Sequence, residues 1–119
     1  MGKSLKGSSG VAHMKKILVV DNHPVILKFM TQLLNNAGHE VLTAEDGLSA
    51  LDLLQTYTPD IMFVDLVMPN IDGKKLCKIV RRMADFEAVH LIILSGIAAE
   101  EQVNPQDLGA DFCIAKGSF

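Results

Sequence analysis

The sequence contains no long apolar run, and no stretch approaches the roughly 18–20 residues that a helix needs to span a bilayer. The N-terminus also lacks the apolar core of a secretory signal. Neither sign of charge dominates, since the formal net charge is only −3, and this argues against nucleic acid or an anionic membrane surface as a partner. We therefore expect a cytoplasmic domain that binds neither membrane nor nucleic acid.

Cysteine and histidine are present in small numbers and without the spacing of a metal site. The two cysteines, Cys77 and Cys113, form no CxxC pair, and each lies within an apolar pattern. This pattern predicts reduced, buried residues of a cytoplasmic protein. The four histidines are scattered along the chain, so a zinc site is not expected.

The composition that remains is that of one globular domain. The chain has 119 residues, of which 49% are hydrophobic and 21% charged, and this balance argues against disorder. The first fourteen residues, MGKSLKGSSGVAHM, are rich in Gly, Ser and Lys and show no periodicity. This is typical of an expression leader, so the folded domain is predicted to cover residues 15–119.

Short apolar runs alternate with amphipathic segments from Lys15 onward. Pro24 can occupy the first position of a helix, Asp46-Gly47 opens a second helix and Asp72 can cap a third, and apolar residues recur at helical spacing after each. The apolar runs predict five strands, most of them continuous, at 17–20, 41–44, 61–64, 91–94 and 112–115. Continuous apolar strands separated by helices indicate a doubly wound α/β domain with a parallel sheet covered on both faces.

Four of the predicted strands end in a polar residue, namely Asp21, Asp65, Ser95 and Lys116. All strands of a parallel sheet point the same way, so these side chains should gather at the edge where open α/β sheets bind ligands. For any one of them, the simpler interpretation is that it begins a loop. Coincidence is a poor account of four such residues at corresponding positions, including two acids and a lysine.

The chemistry of this group follows from its charges. Two carboxylates about 5 Å apart repel by roughly 3 kcal/mol at an effective dielectric of 20, so the pair needs counter-cations. Lys116 can supply one charge and a hard divalent ion such as Mg²⁺ another. A carboxylate held against these cations can attack phosphorus and form an aspartyl phosphate, while Ser95 can donate a hydrogen bond to a phosphoryl oxygen.

Four motifs occur in order and at fitting separations: ILVVDN, PDIMFVDLVMPNIDG, LIILSG and GADFCIAK. With them, residues 15–119 resemble the receiver domain of bacterial two-component response regulators. The resemblance implies a flavodoxin-like fold with strand order 2-1-3-4-5. It also implies a Mg²⁺-dependent phosphorelay role, in which a histidine kinase or phosphotransfer protein donates a phosphoryl group. Such a domain is not an enzyme in the usual sense, because it accepts and loses only its own phosphoryl group.

The same resemblance implies a role for each matching residue. Asp65 would be the phosphoacceptor, Ser95 the switch hydroxyl and Lys116 the partner of the phosphoryl oxygens. The metal ligands would be Asp21, Asn22, Asp65 and the backbone carbonyl of Val67.

The sequence departs from the family pattern at several of these positions. Asn22 stands where the family usually has a second acid, so we expect weakened Mg²⁺ binding; alternatively, Asn22 simply stabilises the turn. Cys113 stands where the family usually has an aromatic switch residue; we expect a buried structural cysteine there, and redox sensing is the alternative. Gly117 replaces the proline that usually follows the lysine, so Lys116 would be held less rigidly.

Two further departures concern the last third of the chain. Pro105 falls in the expected fourth helix, which should be shortened, displaced or irregular. The chain ends three residues after Lys116, with no fifth helix. We therefore expect a C-terminally truncated domain with an exposed apolar face, and a homodimer is the alternative way of covering that face.

Competing interpretations remain open at this point. The departures at Asn22, Pro105, Cys113 and Gly117 would also suit a degenerate receiver that docks proteins without phosphorylation. A flavin-binding carrier on the same fold is a weak third candidate, because no phosphate-binding loop follows the first strand. His23 is interpreted as a turn residue beside the acidic pocket. The basic residues of the third helix, including Arg81, are interpreted as a solvated face.

Overall fold

A computed structural model describes residues 14–96 and 104–116 of the chain. The five strands are β1 (Lys16–Val20), β2 (Glu40–Ala44), β3 (Ile61–Asp65), β4 (His90–Ser95) and β5 (Phe112–Ala115). The three α-helices are α1 (Pro24–Asn36), α2 (Gly47–Leu53) and α3 (Gly73–Arg82). Short 3₁₀ helices cover Ala84–Phe86 and Pro105–Leu108.

The strands form one parallel sheet in the order β2-β1-β3-β4-β5. This confirms the predicted doubly wound α/β fold and the order 2-1-3-4-5. Val20 lies beside both Ala44 and Val64, and Asp65 lies beside Leu94. The strands therefore end at nearly the same level, so the residues that follow them meet at one edge of the sheet.

Apolar side chains cover the two faces of the sheet. Leu18, Val64 and Ile93 belong to the larger cluster, which also contains buried residues of α2 and α3. Ile17 and Val19 belong to the smaller cluster, which Met30 of α1 completes. Full burial of such a side chain contributes about 1.5–3 kcal/mol, so the central strands provide a rigid base for the residues at their ends.

The helices begin where the sequence predicts. Pro24 is in the first turn of α1. The side chains of Asp46 and Asp72 cap α2 and α3 by accepting hydrogen bonds from backbone N–H groups, at 2.8 and 2.9 Å. Each such cap stabilises a helix by about 1 kcal/mol. Beyond the end of α1, Gly38 has a φ of 95°, a left-handed conformation that glycine adopts readily.

The region of the expected fourth helix is described only in part. Pro105 lies in a 3₁₀ helix that ends at Leu108, which agrees with the predicted irregularity. Residues 97–103 lie outside the described part of the chain. The predicted leader, except Met14, and Gly117 also lie outside it.

Two predictions about individual side chains were wrong. Cys113 is exposed, because β5 is an edge strand with a neighbour on one side only. Arg81 is not part of a solvated face: its guanidinium donates to the backbone carbonyls of Gly109, Phe86, Glu87 and Val89. It thereby joins the end of α3 to the segments that precede β4 and β5.

One sheet face is partly uncovered within the described residues. Phe112 lies in register with Ile92, and Ile92 with Phe63, which packs on the α1 side. Phe112 is 61% exposed, so this side chain has little cover. The described residues therefore leave part of this apolar face uncovered at β5.

No helix in the described ranges combines the length and the apolar character that crossing a membrane requires.

Candidate functional site

The carboxyl ends of β1, β3, β4 and β5 meet beside a cleft of about 570 Å³. Asp65, Ser95 and Lys116 line it, together with His23 and Val67. Asp21 lies behind them, fully buried, at the end of β1. The structure thus brings together the four strand-end residues that the sequence singled out, because a parallel sheet aligns its strand ends.

Lys116 joins the two carboxylates of this group. Its Nζ lies 2.8 Å from Asp21 Oδ2 and 3.2 Å from Asp65 Oδ1. Asp21 is fully buried and Asp65 is 2% exposed, so water can do little to screen their repulsion. The ammonium group is therefore the internal counter-charge of the pair.

Burial raises the pKa of the Asp65 carboxyl above its ordinary value, and the nearby negative charge of Asp21 raises it further. The ammonium of Lys116 and the backbone N–H of Val67 act in the opposite direction. One positive charge does not compensate two buried carboxylates, so the site favours a second cation.

Two buried oxygens of side chains that line the cleft also lack a hydrogen-bond partner among the described residues. They are Oδ2 of Asp65 and Oγ of Ser95. Buried polar atoms are nearly always paired, and both atoms belong to side chains that line the cleft. Carboxylate oxygens with free lone pairs are the ligands that Mg²⁺ prefers, so the donor set fits a hard divalent ion. The Ser95 hydroxyl is free to donate to an incoming oxygen.

The two other predicted metal ligands lie on the loops beside these carboxylates. The N–H of Val67 points to Asp65 Oδ1 at 3.4 Å, which holds the loop after β3 close to the carboxylate. Asn22 is exposed in the turn between Asp21 and His23. Both remain predictions as ligands.

His23 lies closer to the charged groups of the site than the sequence suggested. Its Nδ1 lies 2.9 Å from Asp21 Oδ1, 3.0 Å from Lys116 Nζ and 3.8 Å from Asp65 Oδ2. Asp21 Oδ1 also accepts a hydrogen bond from the backbone N–H of His23, at 2.8 Å. This tight turn, followed directly by Pro24, holds the ring over the strand ends. In the sequence, this contact could have been inferred from one feature, an acid two residues before a histidine at the start of a helix.

The loop after Asp65 is held by the start of α3. The N–H of Gly73 donates to the carbonyl of Leu66 at 2.9 Å. A Cβ at position 73 would lie 2.7 Å from Leu66 Cα and would meet the carbonyl oxygen of Asp65. Only glycine allows this approach of the two backbones, which sets the position of Asp65 and of the residues that follow it.

Replacing Lys116 with alanine is expected to lower the free energy of unfolding of the metal-free protein by about 3 kcal/mol, because it leaves two buried carboxylates without their counter-charge. Urea unfolding in the presence of a chelator measures this. As a control, Lys78→Ala removes an exposed lysine of α3 and should change the free energy by no more than about 0.5 kcal/mol. Equal effects of the two substitutions would contradict the assignment of Lys116 as the counter-charge.

The family model and the similar proteins agree on one family. Residues 17–118 match the family described as the response regulator receiver domain. The chain is similar to a probable transcriptional regulator, ycf27, of Cyanophora paradoxa, with 35% identity over 102 residues, 86% of this chain and 42% of that protein. It is also similar to the sensor histidine kinase RcsC of Escherichia coli K12, with 34% identity over 84% of this chain and 10% of that protein. The chain thus spans less than half the length of these curated relatives.

Solved structures show the same similarity. The chemotaxis response regulator CheY4 of Vibrio cholerae superposes with a TM-score of 0.80 and 30% identity, over 89% of this chain and 88% of that one. The response regulator TrrA of Thermotoga maritima, solved in complex with Mg²⁺ and BeF, superposes with a TM-score of 0.76 and 29% identity, over 87% of each chain.

Proposed function

The chain belongs to the family of response regulator receiver domains, and from that premise we propose that Asp65 accepts a phosphoryl group from a histidine kinase or phosphotransfer protein. One observation carries this proposal: the buried carboxylate of Asp65 contacts Lys116 and borders the same cleft as Ser95. A nucleophile, a cation and a free hydroxyl donor therefore face one space. Phosphoryl transfer is driven mainly by such positioning and charge stabilisation.

The transfer forms one bond and breaks one bond. A carboxylate oxygen of Asp65 attacks the phosphorus of a donor phosphohistidine, the new O–P bond forms, and the N–P bond breaks. Its electron pair returns to the donor imidazole, which takes up a proton. Lys116 can then turn to the phosphoryl oxygens, and the hydroxyl of Ser95, which has no hydrogen-bond partner among the described residues, can donate to another of them.

Mg²⁺ is part of the proposal. Carboxylates of Asp21 and Asp65, the amide oxygen of Asn22 and the carbonyl of Val67 would hold it. When bound, the ion neutralises negative charge on the phosphoryl oxygens. The supporting observations are the two close carboxylates, with a single ammonium between them, and the unpaired Oδ2 of Asp65.

The test of the function is incubation with acetyl phosphate and a divalent ion, followed by intact-mass analysis and peptide mapping. We expect one phosphoryl adduct, located on Asp65 and sensitive to mild base as an acyl phosphate is. Absence of any adduct under conditions that modify a typical receiver domain would overturn the proposal. An adduct that maps to another residue would relocate the acceptor.

A degenerate receiver that docks proteins without phosphorylation is the alternative, and the exposed position of Cys113 supports it. That position, where the family usually has an aromatic switch residue, carries a small side chain on an edge strand. Titration with beryllofluoride and a divalent ion separates the two, since chemical-shift changes centred on Asp65 would contradict the alternative. In either case the domain has no substrate turnover of its own.

Asn22→Asp is expected to tighten Mg²⁺ binding by about tenfold, because it adds a negative charge beside two carboxylates that already attract the ion. Isothermal titration with MgCl₂ measures the change. Asn35→Asp, on the exposed surface of α1, adds the same charge elsewhere and should leave the affinity unchanged. Equal affinities of Asn22→Asp and the wild type would show that residue 22 is not a ligand.

We further propose that two copies of this chain associate through the apolar face of β4 and β5. Phe112 is 61% exposed there, and its neighbours in the sheet, Ile92 and Ile114, are half-buried. Sedimentation at increasing concentration should show a dimer that Phe112→Ser weakens. Monomers at every concentration would contradict it.

Both cysteines are free, in keeping with the proposed cytoplasmic location.

A further inference from the structure

Three residues at the carboxyl edge of the sheet already converge on one cation. The ammonium of Lys116 lies 2.8 Å from Asp21 Oδ2, 3.2 Å from Asp65 Oδ1 and 3.0 Å from His23 Nδ1. Two of these residues are the expected acids. The third, His23, brings an aromatic nitrogen to a site that would otherwise offer oxygen atoms only.

The spacing of these side chains fits a metal ion. Ligand atoms of Asp21, His23 and Asp65 all lie within 4.8 Å of one another. Nδ1 of His23 is 2.9 Å from an oxygen of Asp21 and 3.8 Å from one of Asp65. Two ligands that are each about 2.1 Å from one ion are about 3.0 Å apart at right angles and about 4.2 Å apart when opposite. The two distances from Nδ1 therefore lie in or close to the range expected for ligands of one ion. The imidazole is 59% exposed, so a small rotation of the ring can adjust the position of Nδ1.

A second, independent observation points to a ligand in the same place. Asp65 Oδ2 and Ser95 Oγ are buried and have no hydrogen-bond partner in the described part of the chain. Their side chains are 3% exposed, and both line the cleft. Buried polar atoms are nearly always paired, so these two oxygens need a partner such as a bound ion, a ligand or a water molecule.

The contacts of His23 Nδ1 also conflict with one another. This nitrogen can carry a proton that it donates to Asp21, or a lone pair that accepts from Lys116, but it cannot do both. With the lone pair present, Nδ1 and the Asp21 oxygen are two acceptors that face each other at 2.9 Å. A cation bound by both atoms removes this repulsion.

From this juxtaposition we propose that His23 is a metal ligand of the cleft and that it shifts the preference of the site from Mg²⁺ toward first-row transition ions such as Co²⁺ and Zn²⁺. This deepens the proposed function and rests on it, since it assigns the metal of the same cleft. Imidazole nitrogen binds these ions well, whereas Mg²⁺ takes oxygen ligands. At residue 22 the chain has an amide where a charged ligand is expected, and His23 supplies the missing donor.

The test is isothermal titration of the metal-free full chain with CoCl₂ and with MgCl₂. His23→Gln should weaken Co²⁺ binding by at least about tenfold, while the Mg²⁺ affinity changes by less than about threefold. His90→Gln is the matched control, because His90 is exposed at the start of β4, at the opposite end of the sheet from the cleft. It should leave both affinities unchanged.

A second measurement uses the paramagnetism of Co²⁺. Signals of the His23 ring should broaden or shift strongly on addition of Co²⁺, and those of His90 should not. Thermal unfolding checks that each variant folds. If His23→Gln does not fold, His23→Phe takes its place, because phenylalanine keeps a ring but has no nitrogen. Unchanged Co²⁺ affinity, or an equal loss for both ions, would overturn the inference.

These measurements need no phosphoryl donor, so the two proposals can fail separately. A chain that binds Co²⁺ through His23 but gains no phosphoryl adduct would overturn the proposed function and leave this inference standing. A chain that gains the adduct but binds both ions equally well with and without His23 would do the reverse.

Discussion

Asp65→Asn is expected to abolish phosphoryl uptake and, at the same time, to stabilise the metal-free fold. The amide has no charged oxygen with which to attack phosphorus, so the adduct formed with acetyl phosphate should disappear completely. The same change removes one of two buried negative charges that share Lys116. The free energy of unfolding at about pH 7 should rise by about 1 kcal/mol or more.

The stabilisation by Asp65→Asn should depend on pH, because it comes from removing a charged carboxylate. Burial and the charge of Asp21 raise the pKa of Asp65 in the folded protein, so the folded state holds this proton more tightly than the unfolded state does. Stability is therefore lost as the pH rises through the interval between the ordinary aspartate value, about 3.9, and the raised one. The gain of Asp65→Asn should be full above that interval and should disappear below it.

Urea unfolding with a chelator at several pH values measures both stability and its pH dependence, and intact mass measures the adduct. Asp52→Asn is the matched control, since Asp52 is exposed on α2 and should show no effect on either. An Asp65→Asn chain that still gains the phosphoryl group would exclude Asp65 as the acceptor. A loss of stability at neutral pH would show that the carboxylate is not destabilising in the fold.

Gly73→Ala is expected to lower the free energy of unfolding by about 3 kcal/mol, because the added methyl group has no space. It would meet the carbonyl oxygen of Asp65 and lie 2.7 Å from Leu66 Cα, and backbone atoms cannot move aside as a flexible side chain can. The loop after β3 must therefore shift, and Asp65 with it. We expect the rate of phosphoryl uptake to fall even under conditions in which the variant is folded.

Gly96→Ala separates this steric effect from the general cost of replacing glycine. Among the described residues, a Cβ at residue 96 has no neighbour within 4 Å, so this variant should unfold at nearly the wild-type urea concentration. Comparable losses of stability in the two variants would show that the close contact at Gly73 is not the cause.

The sequence alone was sufficient for the elements and for the residues at the strand ends. Helix starts at Pro24, Asp46 and Asp72 depend on a few neighbouring residues, and most strands are short, continuous apolar runs within one segment. Because all strands of a parallel sheet point the same way, the gathering of Asp21, Asp65, Ser95 and Lys116 followed from strand order in the chain. The fold and these four positions could therefore be predicted, and the motifs named the family.

The tertiary structure alone decided where three other side chains lie. Cys113 is exposed because its strand is at the edge of the sheet, and Arg81 is held by carbonyls from segments distant in sequence. His23 lies among the strand-end charges because the turn after Asp21 directs its ring toward Lys116, a residue from the other end of the chain. Such contacts join atoms that no local pattern relates, so the burial and the metal chemistry of these residues appear only when the sheet is assembled.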